Sequence, residues 1–138
     1  IPLYKDNFKI LDCINNKHQS KYSFIYSVAV IHMLVLEEDR NMFYRFIYEH
    51  LTEDGIAMVC SMGDGIREMQ SDTSNAFKLQ EREHRTGKMQ VVHTSCRMVS
   101  FETFENEITS NNLVLIEKGI TMALPDFNSL MFAVIRKK

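Results

Sequence analysis

The chain has 138 residues, 45% of them hydrophobic and 25% charged, which predicts one globular domain. The formal charge of −2 offers no positive surface that would attract nucleic acid, so nucleic acid is not expected as a partner. No apolar run reaches the roughly 20 residues that a membrane-spanning helix needs, so no membrane contact is expected. Three cysteines without a C-x-x-C pair argue against a disulfide framework and favour a reducing, cytoplasmic location.

The first half of the chain predicts two strands, a helix and a third strand. Asn7–Cys13 is a short apolar run that predicts a brief strand. Tyr22–Val30 has aromatic and β-branched residues at consecutive positions, which is typical of a parallel strand covered on both faces. Glu37–Leu51 has apolar residues at helical spacing behind three acidic residues that suit a helix N-terminus. Ile56–Ser61 is a second consecutive apolar run, so this order predicts a βαβ unit.

The middle of the chain has a weaker pattern. Residues 62–89 contain glycines and many charges without a sustained period, and they predict a loop or a partly helical insertion. Within it, Glu81–Arg85 is interpreted as a solvated helix face. Residues 90–98 predict a short extended segment.

The last third predicts one helix and two strands. Ser100 is a predicted N-cap for a helix that ends at Asn111 and Asn112. Leu113–Lys118 and Ser129–Arg136 predict two strands whose connecting loop is too short for a crossover helix. The chain is therefore expected to end in an antiparallel hairpin.

These residues, taken in order, resemble a known family. The stretch KYSFIYSVAVIHMLVLEEDRNMFYRFIYEHLTEDGIAMVCS resembles the fourth strand, following helix and fifth strand of class I S-adenosylmethionine-dependent methyltransferases. Lys21–Phe24 stands where the family usually has a Phe-Asp pair, and Thr52–Gly55 replaces its usual Pro-Gly-Gly turn. Arg97–Phe104 resembles a later helix start of the family, and the closing FAVIRKK resembles its last strand, which inserts antiparallel beside the preceding one.

The resemblance implies an α/β fold with a partial Rossmann-like methyltransferase sheet, mostly parallel and ending in an antiparallel hairpin. It implies that residues 1–138 form the carboxy-terminal part of a single methyltransferase-like domain. The glycine-rich G-x-G-x-G turn, which holds most of the cofactor in the family, does not occur in this sequence. The chain is therefore expected to begin just before the family's third strand.

The implied activity is methyl transfer from S-adenosylmethionine to a small-molecule acceptor in the complete protein, and this fragment alone is expected to be inactive. The alternative is a catalytically inactive methyltransferase-like module used for oligomerisation or partner binding. An incomplete sheet exposes an edge that a homo-oligomer or a sheet-completing partner could cover.

The resemblance also implies where the cofactor would bind. Asp12 matches the position whose carboxylate accepts a hydrogen bond from the adenine amino group, and Cys13 would flank the ring. For Asp12 the alternative is that it caps a local loop by binding backbone amides. Ser27 and Val28 lie where the fourth strand ends over the methionine part of the cofactor, and the alternative is a merely buried strand end.

His32 is the candidate catalytic residue near the transferred methyl group. A neutral imidazole can accept a proton from a hydroxyl or an amine near neutral pH. The alternative is that His32 serves packing and positioning, while catalysis depends on holding the acceptor in line with the methyl group. His93 and Cys96 lie three positions apart without a second ligand pair, so no metal site is expected.

Overall fold

The computed structural model describes residues 11–14, 19–75, 78–92, 95–122 and 129–138. Most of the predicted strand Asn7–Cys13 lies outside these residues, and its last three residues do not form a strand. In the described part of the chain, no helix is long and apolar enough to cross a membrane.

The described residues form eight strands and two helices, and two short segments form single 3-10 turns. In chain order the elements are β1 (Tyr22–Val28), α1 (Glu37–His50), β2 (Leu51–Met62), β3 (Met69–Gln70), β4 (Leu79–His84), β5 (Gly87–Val92), β6 (Arg97–Met98), α2 (Phe101–Ser110), β7 (Leu113–Thr121) and β8 (Leu130–Lys137). The 3-10 turns span Ile31–Met33 and Thr73–Asn75.

The main sheet has four strands in the order β1, β2, β8, β7. β1 pairs with β2 in parallel, and α1 connects the two strands, as the βαβ prediction requires. The last strand, β8, lies between β2 and β7 and runs antiparallel to both. The predicted terminal hairpin is therefore confirmed, whereas the prediction of a mostly parallel sheet is wrong. The physical reason is that β8 forms two of the three strand pairs of this sheet, and the short connection between β7 and β8 permits only an antiparallel pair.

The helix α1 begins at the predicted residue and ends one residue early, directly before β2. The predicted turn Thr52–Gly55 is part of β2, as an irregularity in its pairing with β1: Tyr22 pairs with Leu51, but Phe24 pairs with Ile56. Gly55 has a steric role in this bulge, because a Cβ atom there would lie 2.9 Å from Thr52 Oγ1.

Both helices pack on one face of the sheet. Side chains of α1 and α2 share a single hydrophobic cluster with alternate residues of β2, β7 and β8. These are Phe43, Tyr44 and Ile47 of α1, Phe104 and Ile108 of α2, and Leu51, Ala57, Val59, Leu113, Met131, Ala133 and Ile135 of the strands. The described structure is therefore two layers, helices on sheet, with one core between them.

The strand β1 differs from the prediction that both of its faces are covered. Its Ile25 packs against the core, but Phe24 is 51% exposed and Tyr26 is 68% exposed. Both helices lie on the other side of the sheet, and β1 is an edge strand among the described residues. The aromatic side chains of β1 therefore lie on the face of the sheet that no described helix covers.

The predicted loop or helical insertion contains a β-hairpin. β4 and β5 pair antiparallel around a two-residue turn, with His84 opposite Gly87. Glu81–Arg85, interpreted as a helix face, lies mostly in β4. A hairpin that is largely exposed on both faces lacks the apolar alternation that would mark its strands. The predicted extended segment 90–98 includes the end of β5 and the short strand β6.

The predicted second helix is confirmed together with its cap. The hydroxyl of Ser100 accepts a hydrogen bond from the Thr103 amide at 3.2 Å. Asn112, which follows the helix, has a left-handed φ of 59° that ends it. The cap fixes where α2 starts, and this start lies beside the loop that follows β2.

Candidate functional site

The carboxyl ends of β1 and β2 form one edge of the parallel part of the sheet. Val28 pairs with Cys60, and the next amide, that of Ala29, donates to the Cys60 carbonyl oxygen at 3.2 Å. Ala29 then takes a left-handed φ of 56°, which turns the chain sharply out of the strand. This conformation is disfavoured for a residue with a Cβ atom, and such residues concentrate at functional sites.

Three buried polar atoms without a hydrogen-bond partner among the described residues lie in segments that meet near this edge. They are Ser27 Oγ, His32 Nδ1 and Ser95 Oγ. Ser27 is at the end of β1, His32 is in the Ile31–Met33 turn, and Ser95 precedes β6, which packs against that turn. Buried polar groups are nearly always paired in native proteins, so each of these atoms marks a position where a ligand or water would bind.

His32 is buried, with 8% of its surface exposed. Burial lowers the pKa of its imidazole, and the nearby Arg40 cation lowers the pKa further. The neutral imidazole is therefore the dominant form near neutral pH. With Nδ1 unpaired among the described residues, this ring can act as a hydrogen-bond acceptor or a proton acceptor.

The turn that carries His32 is bound to a buried ion pair. Arg40 of α1 is fully buried, and its Nε and Nη2 donate to the two carboxylate oxygens of Glu107 of α2 at 2.8 and 2.6 Å. Its Nη1 donates to the carbonyl oxygens of Ile31 at 2.8 Å and Leu34 at 3.3 Å. Arg40 therefore joins both helices to the backbone on each side of His32.

Two further groups surround this carboxylate. The Tyr44 hydroxyl donates to Glu107 Oε2 at 3.4 Å, and Arg97 of β6 lies 3.6 Å from Glu107 Oε1. Complete burial and the Glu107 charge hold the pKa of Tyr44 well above its usual range, so its hydroxyl stays protonated as a donor.

The loop that follows β2 is tied to the start of α2. The Phe101 amide donates to the Gly65 carbonyl oxygen at 3.0 Å. The carboxylate of Glu68 accepts from the Ser100 hydroxyl at 2.7 Å and the Thr103 hydroxyl at 2.5 Å. These donors lower the pKa of Glu68 to about 2.

Asp12 and Cys13 come from a separate segment. Asp12 Oδ1 accepts a hydrogen bond from the Ile14 amide at 2.9 Å, the local capping that was the alternative reading for this residue. Cys13 is half-buried and packs against the core, and burial raises the pKa of its thiol. Their role in cofactor binding stays a prediction, as does that of Ser27 and Val28 at the end of β1. The catalytic role of His32, in the turn that follows β1, also stays a prediction.

Sequence reasoning missed Arg40, Glu107 and Ser95. Nothing in the sequence pairs Arg40 with Glu107, because 67 positions separate them. The sequence pointed to Ser95 only indirectly, because Ser95 lies between His93 and Cys96, the two residues whose spacing suggests metal ligands. His93 lies outside the described residues, and among those described no three His, Cys, Asp or Glu side chains gather as a metal site would require.

No protein-family model matches the sequence, and no curated protein matches it. Solved structures do match. An S-adenosylmethionine-dependent methyltransferase from Clostridium acetobutylicum superposes on 99% of this chain with a TM-score of 0.67 and 11% identity. The Burkholderia thailandensis 1,6-didemethyltoxoflavin-N1-methyltransferase, with its substrate and S-adenosylhomocysteine bound, also covers 99%, with a TM-score of 0.71 and 8% identity. The chain has the fold of class I S-adenosylmethionine-dependent methyltransferases.

A third methyltransferase structure agrees. The glycopeptide N-methyltransferase MtfA, solved with S-adenosylmethionine, covers 92% of this chain with a TM-score of 0.60 and 13% identity. The present chain spans 68%, 55% and 62% of the length of these three methyltransferases. At such low identity the likeness defines the methyltransferase fold and not the substrate. The extent of the domain and its cytoplasmic location stay predictions.

Proposed function

We propose that the complete protein transfers a methyl group from S-adenosylmethionine to a small-molecule acceptor. The observation that carries this proposal is that nearly the whole chain superposes on methyltransferases. It is supported by the buried polar atoms that lack a partner among the described residues, which include Ser27 Oγ at the carboxyl end of β1. In open α/β sheets, ligands bind outside the carboxyl ends of the strands.

The residues present suit this cofactor. Ser27 and Val28 would lie beside its methionine part, where Ser27 Oγ has no other partner among the described residues. The Asp12 carboxylate accepts an amide hydrogen bond from Ile14 and has about four acceptor positions, so it could accept a hydrogen bond from an exocyclic amine as well. When bound, S-adenosylmethionine supplies an electrophilic methyl group. His32 would accept the proton that the acceptor's hydroxyl or amine gives up as its lone pair forms the new bond to carbon.

A second candidate function is a methyltransferase-like module without activity, used for oligomerisation or partner binding. The observation that favours it is the aromatic edge strand: Phe24 and Tyr26 stack on each other at 6.1 Å between ring centroids while more than half exposed. Exposed aromatic strand edges are typical of surfaces that pair with another chain.

Binding of S-adenosylmethionine to these 138 residues alone is the first test, by calorimetry. We expect weak or no binding, because a glycine-rich turn, which supplies most cofactor contacts in this fold, does not occur in the sequence. Sub-micromolar binding would contradict this expectation. Methyl transfer by the full natural chain then separates the enzyme from the inactive module.

Asp12→Ala, in the full natural chain, tests the cofactor contact. We expect a loss of affinity of roughly 10- to 150-fold, since one hydrogen bond to a charged group contributes on the order of 1.5–3 kcal/mol. Asp64→Ala is the matched control, because Asp64 Oδ1 also caps a turn, accepting from the Ile66 and Arg67 amides. Equal losses in both variants would mean that Asp12 only caps its loop.

His32→Asn tests the proton acceptor. We expect kcat to fall by about 10²-fold or more with little change in the KM for S-adenosylmethionine, as for loss of a general base. The control is His50→Asn, since His50 is equally buried but stacks on Phe46 at 4.1 Å in α1. An unchanged kcat for His32→Asn would assign His32 to packing.

A further inference from the structure

The turn that carries His32 has little intrinsic stability. It is one turn of 3-10 helix closed by two backbone hydrogen bonds, from the Met33 amide to the Val30 carbonyl at 2.9 Å and from the Leu34 amide to the Ile31 carbonyl at 3.1 Å. Isolated turns of this length are not stable without tertiary contacts. Its geometry must therefore be imposed from outside.

Arg40 supplies such a contact from one side. A single nitrogen, Nη1, donates to the carbonyl oxygens of Ile31 and Leu34, which flank His32 and Met33. The remaining guanidinium donors bind Glu107 as a two-pronged fork, which fixes the plane of the group. The position of the turn therefore depends on α2, which is distant in sequence.

A contribution to the overall stability of the fold does not explain the buried pair of Arg40 and Glu107 well. A buried ion pair is a weak stabiliser, because desolvation offsets its attraction, and apolar residues of similar size often stabilise a protein equally or more. The guanidinium group does provide something that apolar residues cannot, namely directional bonds from Nη1 to two backbone carbonyls.

We propose that Arg40, held in place by Glu107, is the positioning residue that sets the His32 turn at the carboxyl edge of β1. The proposal rests on the proposed function for the role of His32 in methyl transfer, whereas the anchoring of the turn can be tested without activity. Replacement of Arg40 would leave the fold intact if packing is retained, but would release the turn.

The charged and titratable groups near the turn come from every element packed around it. Arg40 and Tyr44 belong to α1, Glu107 to α2, Arg97 to β6 and Cys60 to β2. Of these, Arg40 is the one whose charge lowers the pKa of His32 alongside burial. The titration of His32 therefore reports whether the Arg40 cation stays beside the turn.

Two variants of the full natural chain separate positioning from stability. Arg40→Met combined with Glu107→Leu removes both charges and the bonds to the turn but keeps apolar volume in the core. Glu107→Gln alone keeps Arg40 and its bonds to the Ile31 and Leu34 carbonyls, while leaving the cation without its anionic partner. Glu105→Gln is the control on α2, since Glu105 pairs with Lys118 at the surface.

The first readout is amide hydrogen exchange at Met33 and Leu34, compared with Val59 and Ala133 in the sheet core. In the double variant we expect the turn amides to exchange about tenfold faster or more while the core amides keep their protection, because the lost bonds involve a charged donor. In Glu107→Gln we expect the core amides to lose protection, because the buried cation loses its anionic partner. The turn amides should exchange faster only to the extent that the core amides do.

The second readout is the pKa of His32 from the pH titration of its ring signals by NMR, assigned with His32→Asn. In the double variant the pKa should rise, because the Arg40 cation is gone. In Glu107→Gln the pKa of His32 should stay the same or fall, because the Arg40 cation remains beside the turn. The proposal is overturned if turn protection simply follows global stability in both variants, or if the double variant leaves both readouts unchanged.

Discussion

The two faces of the main sheet differ in what covers them. On one face, β2 and β8 direct Val59, Ala133 and Ile135 into a core that both helices complete. On the other, β1 presents Phe24 and Tyr26 to solvent in the described structure. Both kinds of strand have consecutive apolar residues in the sequence. Consecutive apolar residues therefore indicate a strand that is suited to cover on both faces, although the described residues cover only one face of β1.

Truncating one phenylalanine on each face of the sheet tests this difference in burial most directly. Phe104→Ala, at a side chain 1% exposed, should lower the free energy of unfolding by about 3–5 kcal/mol. Phe24→Ala, at a side chain 51% exposed, should cost about 1 kcal/mol or less. Urea unfolding measures both. Similar losses would show that something covers β1 in solution.

A smaller effect tests how the covered side holds the loop after β2. Ser100→Ala should cost about 1 kcal/mol, because it removes the cap of α2 together with the hydroxyl bond to Glu68. Thr109→Ala is the control at the other end of α2, where the hydroxyl bonds only to carbonyls of its own helix and is exposed. Ser100→Ala without a shift in the urea midpoint would contradict the cap.

The smallest expected effect on stability concerns His32, in the turn that follows β1. Its pKa is lowered in the folded state, so below its usual value of about 6.5 the unfolded state binds more protons. Its contribution to stability is complete above that pH and declines as the pH falls toward the lowered pKa. His32→Asn should flatten the pH dependence of the urea midpoint in this window. An unchanged slope would mean that His32 titrates normally.

Local patterns predicted the helices well. Glu37, Glu38 and Asp39 lie in the first turn of α1 as expected, and Ser100 caps α2. These features depend on residues within about one helical turn, so sequence neighbours carry the information. The terminal hairpin was predictable for a similar reason, since a short connection permits only an antiparallel pair.

Features that depend on strand order were not predicted. The insertion of β8 between β2 and β7 makes the sheet mainly antiparallel, and the exposed hairpin of β4 and β5 has no apolar alternation. Strand order results from pairing between residues far apart in sequence, which periodicity does not record. For the candidate site, Ser27 and His32 followed from the resemblance, which places them at and just after a strand end, while Ser95 belongs to a distant segment that the resemblance did not single out.

By itself, the sequence determined the local structure of this protein: where its helices begin and end, and that His32 follows a strand in a methyltransferase-like order of elements. Only the tertiary structure decided which face of the sheet is covered and how the His32 turn is held. The reason is physical, because hydrogen bonds within a helix or a cap join neighbours along the chain. The Arg40 and Glu107 pair, by contrast, exists only once α1 and α2 have packed on the same face.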